Sequence, residues 1–145
     1  MIIGLRVVRL DLKAKLPVCA HPGEDLAYDI FALEDSILYA NRVTRVRTGI
    51  AVELPGMGFL VRDRSSMALA NVTVAGGVID AGYRGELFAN LMYHDSYEHG
   101  TYRIWAGDKI AQIIPIAPAT HCPVFEVEEL SKAERGTAGY GSTGR

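Results

Sequence analysis

The stretch Gly77-Val78-Ile79-Asp80-Ala81-Gly82-Tyr83-Arg84-Gly85-Glu86-Leu87 most narrows what this chain can become. Two apolar runs flank it, Val72–Ile79 and Leu87–Tyr93, and both have the length and residue types of β-strands. Glycine reaches the positive φ angles of tight turns at no steric cost, so Gly82 and Gly85 predict a hairpin between the runs. A carboxylate, Asp80, directly follows the apolar Val78-Ile79 pair. Two readings of it are open. It is a turn aspartate bonding to its own backbone, or it sits half desolvated at the mouth of a crevice, aimed by the strand before it.

The same pattern of short apolar runs cut by turn formers continues in both directions. Ile2–Leu12 alternates loosely and predicts a first strand, followed by Leu26–Ala32, Ile37–Tyr39, Thr44–Leu54 and Phe59–Asp63. Pro55-Gly56-Met57-Gly58 is a turn. Arg64–Ala70 is the helical candidate, short and capped by serine. Thr101–Trp105 and Lys109–Ile116 are strands joined through Ala106-Gly107-Asp108, and Pro123–Val127 is a last short strand. Many short strands at regular turn spacing predict an all-β sandwich or jelly roll. At 145 residues the chain suffices for one such core and is short for two.

Beyond Leu130 the character changes. Residues 131–145 are glycine-rich and nearly free of apolar side chains, which predicts a mobile arm on a body of residues 1–130. A net charge of −2 gives no basic footprint for nucleic acid. Arg, Asp and Glu interrupt every apolar run before it reaches membrane-spanning length. The first residues lack the layout of a signal peptide, so a soluble, intracellular protein is expected. Cys19 and Cys122 do not make a disulfide framework. With His21 and His121 they are phased poorly for zinc: on an extended chain Cys19 and His21 share a face, whereas His121 and Cys122 point apart.

Three features ask for a functional account. Asp29 and Asp80 are isolated carboxylates on apolar strands. Arg64-Ser65-Ser66 offers charged donors, two hydroxyls and main-chain N–H groups at a helix start, a combination suited to an oxyanion such as phosphate. The arm places Arg135, glycine backbone, Ser142 and Thr143 around Tyr140. It reads either as a phosphate cradle or as a disordered glycine tail.

Taken in order, Ala27–Ala32, Arg64–Ala68, Gly77–Leu87, Gly107–Gln112 and Arg135–Gly144 resemble the five motifs of the trimeric dUTP pyrophosphatase (dUTPase) family, across essentially the whole chain. The resemblance implies a jelly-roll (β-clip) homotrimer with active sites at subunit boundaries, dUTP as substrate, Mg2+ as cofactor and a cytoplasmic setting. It implies that Asp80 is the general base orienting a water toward the α-phosphorus, and that Tyr83 packs on deoxyribose where a 2′-hydroxyl would clash. Main-chain groups of the hairpin, from Gly77 on, would read the uracil edge, and Arg64, Ser65, Ser66 and Gln112 would hold the phosphates. Asp29 would reach the metal through water. Arg135, Gly141, Ser142 and Thr143 would clamp the γ-phosphate while Tyr140 stacks on the base, the arm closing the site. The chain departs from the family pattern at Ala27, Asp63, Gly82, Ala138 and Tyr140. Two other readings stay open. A dCTP deaminase needs a proton-shuttling glutamate where this chain has Asn90, and a non-catalytic dUTP-binding regulator has no use for Asp80.

Overall fold

Apolar alternation is realised as short antiparallel strands in the computed structural model, which describes residues 4–139. In chain order they are β1 (Arg6–Arg9), β2 (Tyr28–Phe31), β3 (Ser36–Tyr39), β4 (Val43–Arg47), β5 (Ile50–Glu53) and β6 (Gly58–Arg62). A helical turn α1 (Ser65–Leu69) follows, then β7 (Val72–Val74), β8 (Val78–Ile79), β9 (Phe88–Tyr93), β10 (Thr101–Ile104) and β11 (Lys109–Ile116). Two larger sheets carry the site. One has the order β2-β11-β6-β8 and the other β4-β9-β7; the pairs β1-β5 and β3-β10 complete the all-β body.

Period-two patterning sorts the faces of β4 and β9. On β9, Ala89 and Leu91 point into the core while Phe88 and Asn90 face outward, and on the facing strand Val46 is buried while Arg45 is exposed. The core is mainly aliphatic: Ile30, Leu38, Ile50, Leu87, Leu91, Ile104, Ile110 and Ile113 are all essentially inaccessible. Each such side chain contributes about 1.5–3 kcal/mol relative to exposure, so these residues dominate the stabilisation of the body. The Pro55–Gly58 turn is present as expected, with Gly56 at φ 75° and the Met57 N–H donating to the Leu54 carbonyl at 2.9 Å.

Several expectations are corrected. Thr44–Leu54 is two strands, because the chain changes sheets at Thr48-Gly49: Gly49 takes φ 69°, β4 pairs with β9, and β5 pairs with β1. Val72–Ile79 is likewise two strands. After Val74 the chain turns at Gly76, φ 59°, and β8 leaves β9 to pair with β6 through Phe59↔Ile79 and Leu60↔Val78. The expected hairpin is therefore a wide one, β7 against β9, with an excursion through β8. Gly82 and Gly85 lie outside the left-handed region, so positive φ is not their role. Gly85 instead leaves room for Tyr83, whose hydroxyl would stand 2.5 Å from an added Cβ.

The helix is not serine-capped. Arg64 occupies the cap position in extended conformation without a side-chain cap bond, and Ser65 and Ser66 fall inside the first turn. Pro123–Val127 forms no strand: residues 116–139 are exposed throughout, and among the described residues nothing covers Val124 or Phe125.

Candidate functional site

A cleft of about 220 Å³ opens between β8 and the outer face of the β4-β9 pair. Val78, Ile79 and Asp80 form one wall, Phe88, Asn90 and Arg45 the other, and Tyr83 and Glu86 close an end. Asp80 stands on the lip. It is exposed rather than half desolvated, because β8 ends at Ile79 and the chain turns away there. Its main-chain carbonyl accepts from the Tyr83 N–H at 3.0 Å, a one-turn clasp that leaves the carboxylate free of any side-chain partner in the hydrogen bonds of the described residues.

Gly77 earns its place by close approach. Its carbonyl accepts from the Val61 N–H at 2.7 Å, and a Cβ there would lie 2.2 Å from the Val61 carbonyl oxygen. Glycine is therefore needed to lay β8 against β6, which in turn delivers Asp80 to the lip. Tyr83 is 43% exposed, and its hydroxyl donates to the Glu86 carbonyl at 3.0 Å. Glu86 was not singled out by sequence reasoning. Its carboxylate accepts from the Arg47 Nε at 3.1 Å and the Gly49 N–H at 2.9 Å, and the Arg47 guanidinium is held above its ordinary pKa, first by these hydrogen bonds and then by the carboxylate's charge.

The second group gathers where β2, β11 and β6 meet. Asp29, Gln112 and Arg62 are directly opposite one another across the three strands and share a face. Arg64 Nε donates to Asp29 Oδ1 at 2.8 Å, and Lys109 Nζ lies 3.0 Å from Oδ2. Arg64 Nη1 reaches the Ser66 hydroxyl at 3.4 Å, while Ser65 and Ser66 stay exposed. Gln112 Nε2 donates to the Asp63 carbonyl at 2.7 Å. The Asp63 carboxylate accepts from the Val74 N–H at 2.6 Å, so this departure from the family pattern ties the lead-in of α1 to β7. Lys109 was missed from sequence. The available signal was physical: a half-buried carboxylate such as Asp29 needs cations beside it.

Arg135 is exposed and bonds to the Ala138 carbonyl at 3.1 Å, lining neither group. Tyr140, Gly141, Ser142 and Thr143 lie outside the described residues. Among the described residues no three His, Cys, Asp or Glu side chains converge as metal ligands. No helix among them is long and apolar enough to cross a membrane.

Among the described residues one chain does not bring the two groups around a single cavity. Asp80 lies beside Gly58 at the start of β6, and Arg62 ends that strand. Four residue steps along the strand separate them by roughly 13 Å.

Comparison with known proteins places the chain in a family. The dUTPase family model matches residues 13–144. The deoxyuridine 5'-triphosphate nucleotidohydrolase of Clostridium acetobutylicum is 40% identical over 98% of this chain and 97% of its own length. That of Thermobifida fusca is 38% identical over 98% of this chain and 79% of its own. Among solved structures, the Staphylococcus bacteriophage 80alpha dUTPase with dUpNHpp superposes with a TM-score of 0.84 at 31% identity, covering 98% of this chain and 99% of that one. A dUTPase from phage phi11 of S. aureus, described with a structural Mg(II) ion, has a TM-score of 0.77 at 28% identity, over 87% of this chain and 97% of that one. With its jelly-roll body and the third motif folded as a cleft beneath Asp80, the chain belongs to the dUTPase family.

Proposed function

We propose that this protein is a dUTP diphosphatase that splits dUTP into dUMP and pyrophosphate, and that it works as a homotrimer in the cytoplasm. The observation that carries the reading is Asp80, an uncommitted carboxylate on the lip of a cleft whose far wall is aromatic and amide-bearing. Uracil enters between β8 and β9, where main-chain groups of the Gly77–Ile79 edge read its polar rim. The Tyr83 ring covers the sugar and leaves no room for a 2′-hydroxyl.

Asp80 accepts a proton from a water as that water's oxygen attacks the α-phosphorus, and the bond to the bridging oxygen of the leaving pyrophosphate breaks. Arg64, Ser65, Ser66 and Gln112 hold the phosphates and spread their charge. Their distance from Asp80 within one chain favours a site completed between copies, the phosphate group of one facing the cleft of another. Arg135, Tyr140, Gly141, Ser142 and Thr143 close the arm (residues 131–145) over the bound nucleotide and exclude bulk water.

The donor set suits magnesium that keeps its waters and is carried by the substrate's phosphates. Each Asp29 oxygen is paired with one cation and retains a lone pair for a metal-bound water. Such an ion supplies neutralisation of the triphosphate charge.

Pyrophosphate release with magnesium, assayed separately on dUTP, dCTP, dTTP and UTP, tests the reading. Release from dUTP alone is expected, and Asp80→Asn lowers kcat by about 10²–10⁴-fold while dUTP still binds. Ammonia from dCTP would make the protein a deaminase. Binding of dUTP without turnover, indifferent to Asp80→Asn, would make it a regulator.

A further inference from the structure

We infer that Glu86 is a positioning residue for sugar selection, acting through Tyr83 rather than on the nucleotide. This rests on the proposed reading of Tyr83 as the wall against the 2′-hydroxyl. The tyrosine is not held by its own backbone alone. Its ring lies across Gly85, where an added Cβ would meet Oη at 2.5 Å and Cζ at 2.7 Å, and its hydroxyl donates to the Glu86 main chain at 3.0 Å. The place of the ring is therefore the place of the Glu86 carbonyl.

That carbonyl is fixed by the side chain of the same residue. Oε1 accepts from Arg47 Nε at 3.1 Å and from the Gly49 N–H at 2.9 Å, and Oε2 accepts from Arg47 Nη2 at 3.3 Å. The carboxylate is 15% exposed, so these bonds are only partly screened. The next residue is laced to the same junction, with Leu87 N–H donating to the Ile50 carbonyl at 2.8 Å and the Thr48 hydroxyl donating to the Leu87 carbonyl. The β4-β5 crossover thus acts as a jig that sets the end of the cleft closed by Tyr83 and Glu86. Loss of the carboxylate frees residues 82–86 and lets the ring retreat from the sugar.

Glu86→Ala, Glu86→Gln, Arg47→Met and Tyr83→Ala are compared with the parent by pyrophosphate release from dUTP and from UTP, with a thermal melt of each. Glu86→Ala is expected to lower the dUTP-over-UTP preference in kcat/KM by about tenfold or more, the loss falling more on KM for dUTP than on kcat. Glu86→Gln keeps an acceptor for Gly49 and retains most of the preference. Arg47→Met gives a smaller loss, and it decides the matter if the alanine variant does not fold. The inference fails if the folded Glu86 and Arg47 variants keep the parental preference while Tyr83→Ala destroys it. If Tyr83→Ala itself leaves the preference unchanged, the sugar-wall reading falls and takes this inference with it.

Discussion

Replacing Gly77 with alanine adds one methyl group at the tightest backbone crossing near the site. The new Cβ would stand 2.2 Å from the Val61 carbonyl oxygen and 3.1 Å from its carbonyl carbon, both main-chain atoms that cannot swing aside. Three contributions set the outcome. Overpacking of this kind costs about 1–3 kcal/mol. Parting the strands weakens the Val61–Gly77 hydrogen bond, 2.7 Å long, which is worth about 1 kcal/mol. Against these, Gly77 lies outside the left-handed region, so alanine recovers about 0.4–1 kcal/mol through a less disordered unfolded chain. The net loss is about 1–3 kcal/mol, or a fall in Tm of roughly 3–10 °C for a chain of this size. Gly82→Ala is the internal control. It too lies outside the left-handed region but has no atom within 4 Å of its added Cβ, and it should melt with or slightly above the parent. Differential scanning calorimetry of both, beside dUTP turnover, completes the test. Because Gly77 and Asp80 flank the two residues of β8, turnover falls with stability in the first variant only. A Gly77→Ala protein that melts like Gly82→Ala and turns over normally would refute the claim that this crossing positions Asp80.

Two more perturbations address other parts of the molecule. Thr48, 1% exposed, donates its hydroxyl to the Leu87 carbonyl, so Thr48→Val keeps the shape, strands a buried acceptor and should cost about 1–3 kcal/mol by urea unfolding; an unchanged midpoint would show that the carbonyl finds another donor. Deleting residues 135–145 should reduce dUTP turnover by about 10²-fold or more while the oligomer, followed by light scattering, stays assembled; full activity in the truncated protein would remove the arm from the reaction.

Which parts of this were legible beforehand follows from the range of the interaction involved. The strands could be read because each needs only a local alternation, and β11 runs over the expected Lys109–Ile116. The two sheet changes could not. At Thr48-Gly49 and at Gly76 the apolar pattern continues without a break, and only the choice of a distant partner, β1 for β5 and β6 for β8, reveals the cut. Asp80, Tyr83 and Gly77 stood out as one contiguous motif. Glu86 did not, because its meaning lies in Arg47 and Gly49, 39 and 37 positions away. Gly82 and Gly85 were given the wrong reason: a glycine in sequence signals freedom of φ or lack of a Cβ equally well, and here neither takes a positive φ.

The sheet change at Gly76 is also what makes a site possible. Had β8 simply continued β7, it would have gone on pairing with β9, and a closed hairpin has no space between its strands. By crossing to β6 instead, β8 leaves a gap against β9 that the cleft occupies, and becomes the edge of its sheet. An edge strand carries main-chain donors and acceptors without a strand partner, normally a liability for aggregation. Here the edge is only two residues long and faces a wall bearing Phe88 and Asn90, so it is too short to recruit another strand and stays open toward the cleft. The glycines on either side, Gly76 for the turn and Gly77 for the close approach, are the local conditions for that opening. Fold and binding surface thus have one cause: the excursion that spoils the hairpin is the excursion that builds the cleft and leaves Asp80 on its lip.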